Sequence, residues 1–382
     1  MKLLLVIDHL GLGGAQRQLA ELACGLQKRG HKVEVFNYFP HHDFFRARLE
    51  ASGIAIHDYR KGKGFSFGVL WRLARLIRRG SFDVVVSYLN SPNIYNELAR
   101  LVATGPKLIV SERCSHHDER SALVGNARRS LHVLSDHVVT NSQTHAEWLR
   151  RKWWLSDKTS CIYNGVDLSS LQPTDFVPQE RSALRLLAVG RICPQKNILN
   201  LINGLEMFYD RNGYAPSVSW AGKPDAGADG ESYAGIVSER LARTPAVGER
   251  WSWMGEQADM PRLLREHHAL IHPSLYEGLP NSVCEALAAG RPVLVSSVGD
   301  HPLLVADGER GFLFDPLDPV SIAAAIEKLM ALGPKGWISC CRNARQYAEA
   351  NLDVAKMVGT YEDLFIRLVE RRDAGVGRTR EI

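Results

Sequence analysis

IHPSLYEGLPNSVCEALAAGRPVLVSSVGDHPLLVADGERGFLF, residues 271–314, decides the fold of this chain. ALIHP, from Ala269, is a short apolar run, and SLYEGLPN is rich in turn residues. SVCEALAAG has helical spacing closed by Gly290, and RPVLVSS returns to strand character. The stretch therefore reads strand, glycine-bearing turn, helix, strand, turn, strand. Glu277 falls in the turn and Glu285 in the first turn of the helix, eight residues apart. Ligands of an open α/β sheet lie beyond the carboxyl ends of the strands, where this turn falls. Free backbone N–H groups at the helix start would face an anion. Ser282 to Glu285 also spells a capping box, which gives Glu285 a structural alternative. Glu277 has no capping alternative.

The same alternation runs through the whole chain. MKLLLVID is a buried strand, GLGGA a turn, AQRQLAELACGLQKRG an amphipathic helix ended by Gly30, and HKVEVFNYF the next strand. Strand signals recur at IAIHDY, FDVVVSYL, KLIVSER, HVVTNS and SCIYN, with helical stretches between, which predicts a parallel doubly wound sheet. The polar, proline-bearing segment 172–182 reads as a linker. Beyond it ALRLLAVGRICPQKNILNLINGLEMF restarts the pattern, and SVSWAG, RWSWMG and ALIHP continue it. The expected domains are 1–172 and 183–354, with a last helix near 355–375 and a disordered tail DAGVGRTREI.

Composition narrows the class. The chain has 382 residues, 45% apolar and 23% charged, with no run long enough to span a bilayer. The apolar core of the first strand is too short for a signal peptide. Seven scattered cysteines without C-x-x-C spacing suggest a reducing compartment and no zinc, so the cytoplasm is the expected location. Residues 1–180 hold 24 Lys+Arg against 17 Asp+Glu, and the rest 23 against 25, so the first half is the one suited to an anionic surface or substrate. Glycines at 11, 13 and 14 fail the dinucleotide pattern, and the loop has no Lys-Ser/Thr of a P-loop. No D-x-D triplet occurs, so no metal clamp of that kind is expected. Trp71, Arg72, Arg75 and Arg79 lie on an amphipathic helix with Phe65 and Phe67 nearby, and Arg150 to Trp154 form a second basic-aromatic cluster. Such a pattern serves a surface helix with its leucines in the core, and equally peripheral attachment to an anionic membrane.

EGLPNSVCE resembles the E-x7-E signature of the retaining family-4 glycosyltransferases, which have the GT-B fold. The resemblance implies two Rossmann-like domains facing a cleft, the first for the acceptor and the second for the nucleotide sugar. It implies that Glu277 contacts the donor sugar and that Glu285 holds the nucleotide ribose, within a donor-binding turn of Gly278, Leu279, Pro280, Asn281 and Ser282. Gly190-Arg191 and Lys196, as VGR-x4-K, resemble the family's diphosphate-binding pair. Gly255, at the end of RWSWMG, matches the place where the base is held by backbone groups. Gly13 and Gly14 resemble the family's glycine-rich cleft loop. Where many members place a histidine facing the acceptor, this chain has Glu112-Arg113, with His116 and His117 a few residues on. The implied reaction is metal- and cofactor-independent transfer of a sugar, UDP-linked by expectation, to a saccharide or lipid-linked saccharide, with retention. A nucleotide-sugar epimerase and a non-catalytic scaffold of the same fold are the alternatives, and no nucleic-acid partner is expected.

Overall fold

The computed structural model describes residues 1–113, 122–173, 177–225 and 228–377. The chain divides into two compact units. The first is Met1–Gly165 together with the chain from Val354 onward, and the second is Val166–Asp353. The division falls at Gly165, ahead of the proline-bearing segment expected to mark it.

Seven parallel strands form the sheet of the first unit: β1 Lys2–Val6, β2 Lys32–Asn37, β3 Ala55–Asp58, β4 Val84–Tyr88, β5 Lys107–Glu112, β6 His137–Thr140 and β7 Thr159–Cys161. Their order is β3-β2-β1-β4-β5-β6-β7. A parallel sheet covered on both faces needs strands apolar on both sides, and β1 meets that need. Leu3 and Leu5 enter one core, with the helix Gly14–Lys28 and the last helix, Val354–Gly377. Leu4 and Val6 enter the other, with the helix Phe67–Gly80. The last helix supplies Met357, Val358, Tyr361, Leu364 and Phe365 to the first of these cores. It runs to Gly377, so the first five residues of the tail expected to be disordered continue the helix, and 378–382 lie outside the described residues.

The second unit has six parallel strands: β8 Arg185–Val189, β9 Ser217–Ala221, β10 Trp251–Gly255, β11 Ala269–His272, β12 Val293–Ser296 and β13 Gly311–Phe314. The order is β10-β9-β8-β11-β12-β13. From β8 the chain winds outward one way through β9 and β10, then crosses back and winds the other way from β11. That reversal leaves a crevice at the carboxyl ends of β8 and β11, the place where open α/β sheets take ligands. In the first unit the reversal lies between β1 and β4, next to the glycine-rich loop after β1.

The basic-aromatic helix forms as its spacing predicts. Ser66 caps Phe67–Gly80 by accepting from the Val69 N–H, and Val69, Leu73, Ala74 and Ile77 are buried against the sheet. Arg72, Arg75, Arg78 and Arg79 are exposed, Trp71 and Phe67 are 60% and 79% exposed, and Arg75 lies 5.2 Å over the Trp71 ring. In the second cluster Trp153 is 84% exposed and Lys152 lies 4.4 Å from the Trp148 ring. Among the described residues no helix is long and apolar enough to cross a membrane.

Candidate active site

Two loops build the site at the switch point of the second unit. The first leaves β8 through Gly190 and Arg191, makes a tight turn at Pro194–Lys196 and enters the helix Ile198–Asn212. The second leaves β11 through Pro273 and Ser274 and carries Glu277 before the helix Asn281–Ala288. Because β8 and β11 are hydrogen-bonded neighbours, residues far apart in sequence meet. The loops are stapled directly. Leu275 N–H donates to the Gln195 carbonyl at 2.9 Å, Gln195 Nε2 to the Tyr276 carbonyl at 2.9 Å, and Asn197 Nδ2 to the Pro273 carbonyl at 3.1 Å. The backbone that carries Lys196 is thus fixed against the backbone that carries Glu277.

Lys196 Nζ lies 2.5 Å from Glu277 Oε1, and each side chain is 12% exposed. His272 Nε2 reaches the same oxygen at 3.1 Å. Glu277 Oε2 has no hydrogen-bond partner among the described residues. Burial alone would raise the Glu277 pKa, but the Lys196 ammonium and the His272 imidazole outweigh it and hold the group well below the usual carboxylate range. The carboxylate is therefore ionised at neutral pH, with one oxygen anchored and the other able to accept a hydroxyl proton.

Two glycines make room for this pair. Gly190 has φ +155, and a Cβ there would lie 2.7 Å from Lys196 Cε. Gly299, in the loop after β12, has φ +52, and a Cβ there would come within 2.9 Å of the Glu277 carbonyl oxygen. Arg191 stands at the rim, 59% exposed, and pairs with Asp225 at 2.7 Å. A pair so exposed is worth little, so Arg191 can turn to an incoming anion at low cost.

Glu285 is buried at 7% exposure inside the helix Asn281–Ala288. That helix has Pro280 at its N-cap, no side-chain cap bond and no acid in its first turn. The capping box suggested by Ser282 and Glu285 is not formed, because the helix starts one residue before Ser282 and leaves Glu285 in its second turn. Gly278, Leu279 and Pro280 are buried on the approach to this helix, with Asn281 half-buried at its start. Gly255 closes β10 with φ +67, and its carbonyl accepts from the Gly222 N–H at 2.7 Å.

The candidates in the first unit fare differently. Gly13 caps the helix that opens at Gly14, without a side-chain bond. Glu112 is 1% exposed and both its oxygens are taken. Arg128 and His132 lie 2.9 and 2.8 Å from Oε1, and Arg129 and His145 lie 3.2 and 2.7 Å from Oε2. Buried among these cationic and imidazole groups, Glu112 ties the elements after β5 to the sheet. Arg113 donates to Ser111 Oγ, Asn164 Oδ1 and Tyr361 OH, which binds the last helix to the end of β5. His116 and His117 lie outside the described residues.

His272 and Asp225 were not read from the sequence. The available signal for His272 was a histidine closing an apolar strand five residues ahead of Glu277. Asp225 had none, since its pairing with Arg191 depends on the neighbouring ends of β8 and β9.

Two parallel-sheet Rossmann-like units with a cation–carboxylate site at a switch point are the GT-B class. The sequence profile of Glycosyltransferase Family 4 matches residues 12–170, and that of Glycosyl transferases group 1 matches residues 183–331. The chain belongs to the family-4 glycosyltransferases and is a glycosyltransferase. It is 26% identical over 317 residues to the Escherichia coli UDP-Gal:alpha-D-GlcNAc-diphosphoundecaprenol alpha-1,3-galactosyltransferase, covering 78% of each chain. It is 23% identical to the Salmonella typhi Vi polysaccharide biosynthesis protein VipC/TviE, covering 94% of this chain and 70% of that one. Among solved structures it is similar to Anabaena Alr3699/HepE in complex with UDP-glucose, with TM-score 0.82 and 19% identity over 96% of this chain and 100% of that one.

Proposed function

We propose that the chain transfers a hexosyl group from a UDP-sugar to a saccharide carried on a lipid diphosphate, with retention at the anomeric carbon. The observation that carries this reading is Lys196 and Glu277 held together at the β8–β11 switch point, with Arg191 at the rim. The bond between the anomeric carbon and the diphosphate oxygen breaks, and a bond to the acceptor hydroxyl oxygen forms on the same face. The acceptor proton passes to the departing phosphate, and the nucleoside diphosphate leaves. Arg191 and Lys196 stabilise the charge that develops on that phosphate. The free oxygen of Glu277 holds a sugar hydroxyl, and Glu285 holds the ribose. Neither carboxylate serves as a nucleophile in this scheme.

The galactosyltransferase relative and the UDP-glucose complex of the structural neighbour support a UDP donor, the former also a lipid-diphosphate acceptor, and the basic first unit suits an anionic acceptor. Between Tyr59 and Phe82 the chain carries Lys or Arg at seven positions and no acid. With Phe67 and Trp71 exposed beside them, this segment rests on the anionic surface where such an acceptor resides, at the cytoplasmic face. Charge neutralisation by two side chains needs no metal, so turnover persists in EDTA.

Calorimetric titration with UDP, GDP and ADP, in parallel on the parent and on Lys196→Ala, tests the donor site. Binding of UDP alone, weakened at least about tenfold by the substitution, is expected, since each lost charge-assisted contact costs about 1.5–3 kcal/mol. Binding of none of the three sinks the reading.

A further inference from the structure

Lys196 has two tasks in the proposed reaction, and they compete. It is the main counter-charge of Glu277, and it must also neutralise the leaving diphosphate. A flexible lysine stem can turn from one to the other, but a buried carboxylate released by its ammonium loses both charge compensation and direction.

His272 is built so that it cannot make the same move. It is the last residue of β11, paired across to Val295 of β12, and is 1% exposed. Its ring meets the His301 ring edge-on, with centroids 5.6 Å apart and planes at 82°. Ser274 Oγ lies 3.1 Å from His272 Nε2, and the Ser274 carbonyl is in turn fixed by Ser296 Oγ at 2.6 Å. His301, wholly buried, is fixed by its Nδ1 on the Ser296 carbonyl at 2.7 Å. Burial and the neighbouring Lys196 ammonium keep the His272 imidazole neutral, although Glu277 pulls the other way. A neutral ring 3.1 Å from a carboxylate oxygen must carry its proton on the facing nitrogen, so Nε2–H donates to Oε1.

We infer that His272 is a positioning residue of the donor site. Its Nε2–H holds Glu277 Oε1 while Lys196 shifts its charge to the leaving diphosphate, and so keeps Oε2 in place for a hydroxyl of the donor sugar. This rests on the reading of Lys196 and Glu277 as the donor site. It predicts a division of labour: His272 matters to the sugar and little to the nucleotide.

The experiment compares the parent with His272→Ala and His272→Gln in two measurements. One is affinity for UDP by calorimetry. The other is steady-state release of UDP from UDP-glucose and UDP-galactose in the presence of a GlcNAc-diphosphate lipid. In the alanine variant UDP affinity stays within about twofold of the parent, while kcat falls at least about tenfold, the loss of an interaction made in the transition state. The glutamine variant, whose amide N–H can reach the same oxygen, recovers most of kcat. Unchanged kcat in the alanine variant overturns the inference. So does a parallel loss of UDP affinity and kcat that glutamine does not restore, which would make His272 a packing residue only. A parent protein that neither binds UDP nor releases it from either sugar nucleotide overturns the donor-site reading itself, and this inference with it.

Discussion

Lys196 can be separated into its structural and chemical parts by substitution. Removing it leaves the 12%-exposed Glu277 carboxylate with His272 as its remaining hydrogen-bond donor. Breaking a fully buried pair costs about 3–5 kcal/mol, and this slightly open one about 2–3 kcal/mol. Lys196→Met should lower the urea midpoint accordingly, and Lys196→Met combined with Glu277→Gln should recover most of it, because no uncompensated charge remains. Neither variant should transfer sugar. Recovery of activity in the double variant would remove both residues from the chemistry. Gly190→Ala tests the same pair sterically. Its Cβ would sit 2.7 Å from Lys196 Cε, so UDP affinity should fall, by about three- to tenfold for a displaced cation, with the fold intact. At this scale the sequence was legible where a residue's placement depends on its own loop: Glu277 in a turn without a capping function, and Arg191 and Lys196 ahead of a helix. It was illegible where a contact depends on strand order. Lys196 and Glu277 are 81 positions apart, and only the β8–β11 adjacency, which periodicity cannot supply, shows that they touch and that His272 joins them.

At the level of elements, alternating apolar runs and helical spacings were sufficient to place the strands, since a strand buried on both faces leaves a continuous apolar signature. Helix starts were less legible. S-x-x-E at Ser282 invites a cap, yet Pro280 takes the N-cap position and the helix opens at Asn281. Glu112 misled for a related reason, because nothing local to it announces that Arg128, Arg129, His132 and His145 converge on its two oxygens. The helix Phe67–Gly80 is the element with the clearest prediction of its own. Its buried side is complete without the arginines, so replacing Arg72, Arg75, Arg78 and Arg79 with glutamine should leave the helix and the urea midpoint unchanged. Each cation near an anionic bilayer contributes about 1 kcal/mol, so the partition constant onto phosphatidylserine-containing vesicles, read by sedimentation, should drop by about three orders of magnitude. Equal sedimentation of parent and variant would reduce this element to an ordinary covering helix.

Across the whole molecule, the balance of buried histidines sets how stability responds to pH. His268 and His301 in the second unit and His137 in the first are each pushed down to about 4, chiefly by burial. Geometry agrees for His268, whose Nδ1 accepts the Arg185 N–H at 3.0 Å and cannot do so when protonated. In the unfolded chain these rings titrate near 6.5, so between pH 7 and 5 the unfolded state takes up protons that the folded state refuses. Stability must then fall as pH falls, by about 2 kcal/mol per imidazole over that interval. His132 works in the opposite direction. Glu112 and Glu97 outweigh its burial and raise it to about 9, so its contribution is complete below 6.5 and is lost as pH rises through 9. Glu277 and Glu112, both held low, contribute throughout this range and lose their effect only below the ordinary carboxylate pKa. The urea midpoint should therefore peak near about pH 7 and decline on both sides. On the acid side the second unit should weaken more than the first, because it holds two of the three most depressed rings as well as the lowered His267 and His272. Tryptophan fluorescence can follow that unit through Trp220 and Trp251, which stack at 6.0 Å in its core. His268→Asn should flatten the acid-side slope, and an unchanged slope would show that this ring takes no part in it.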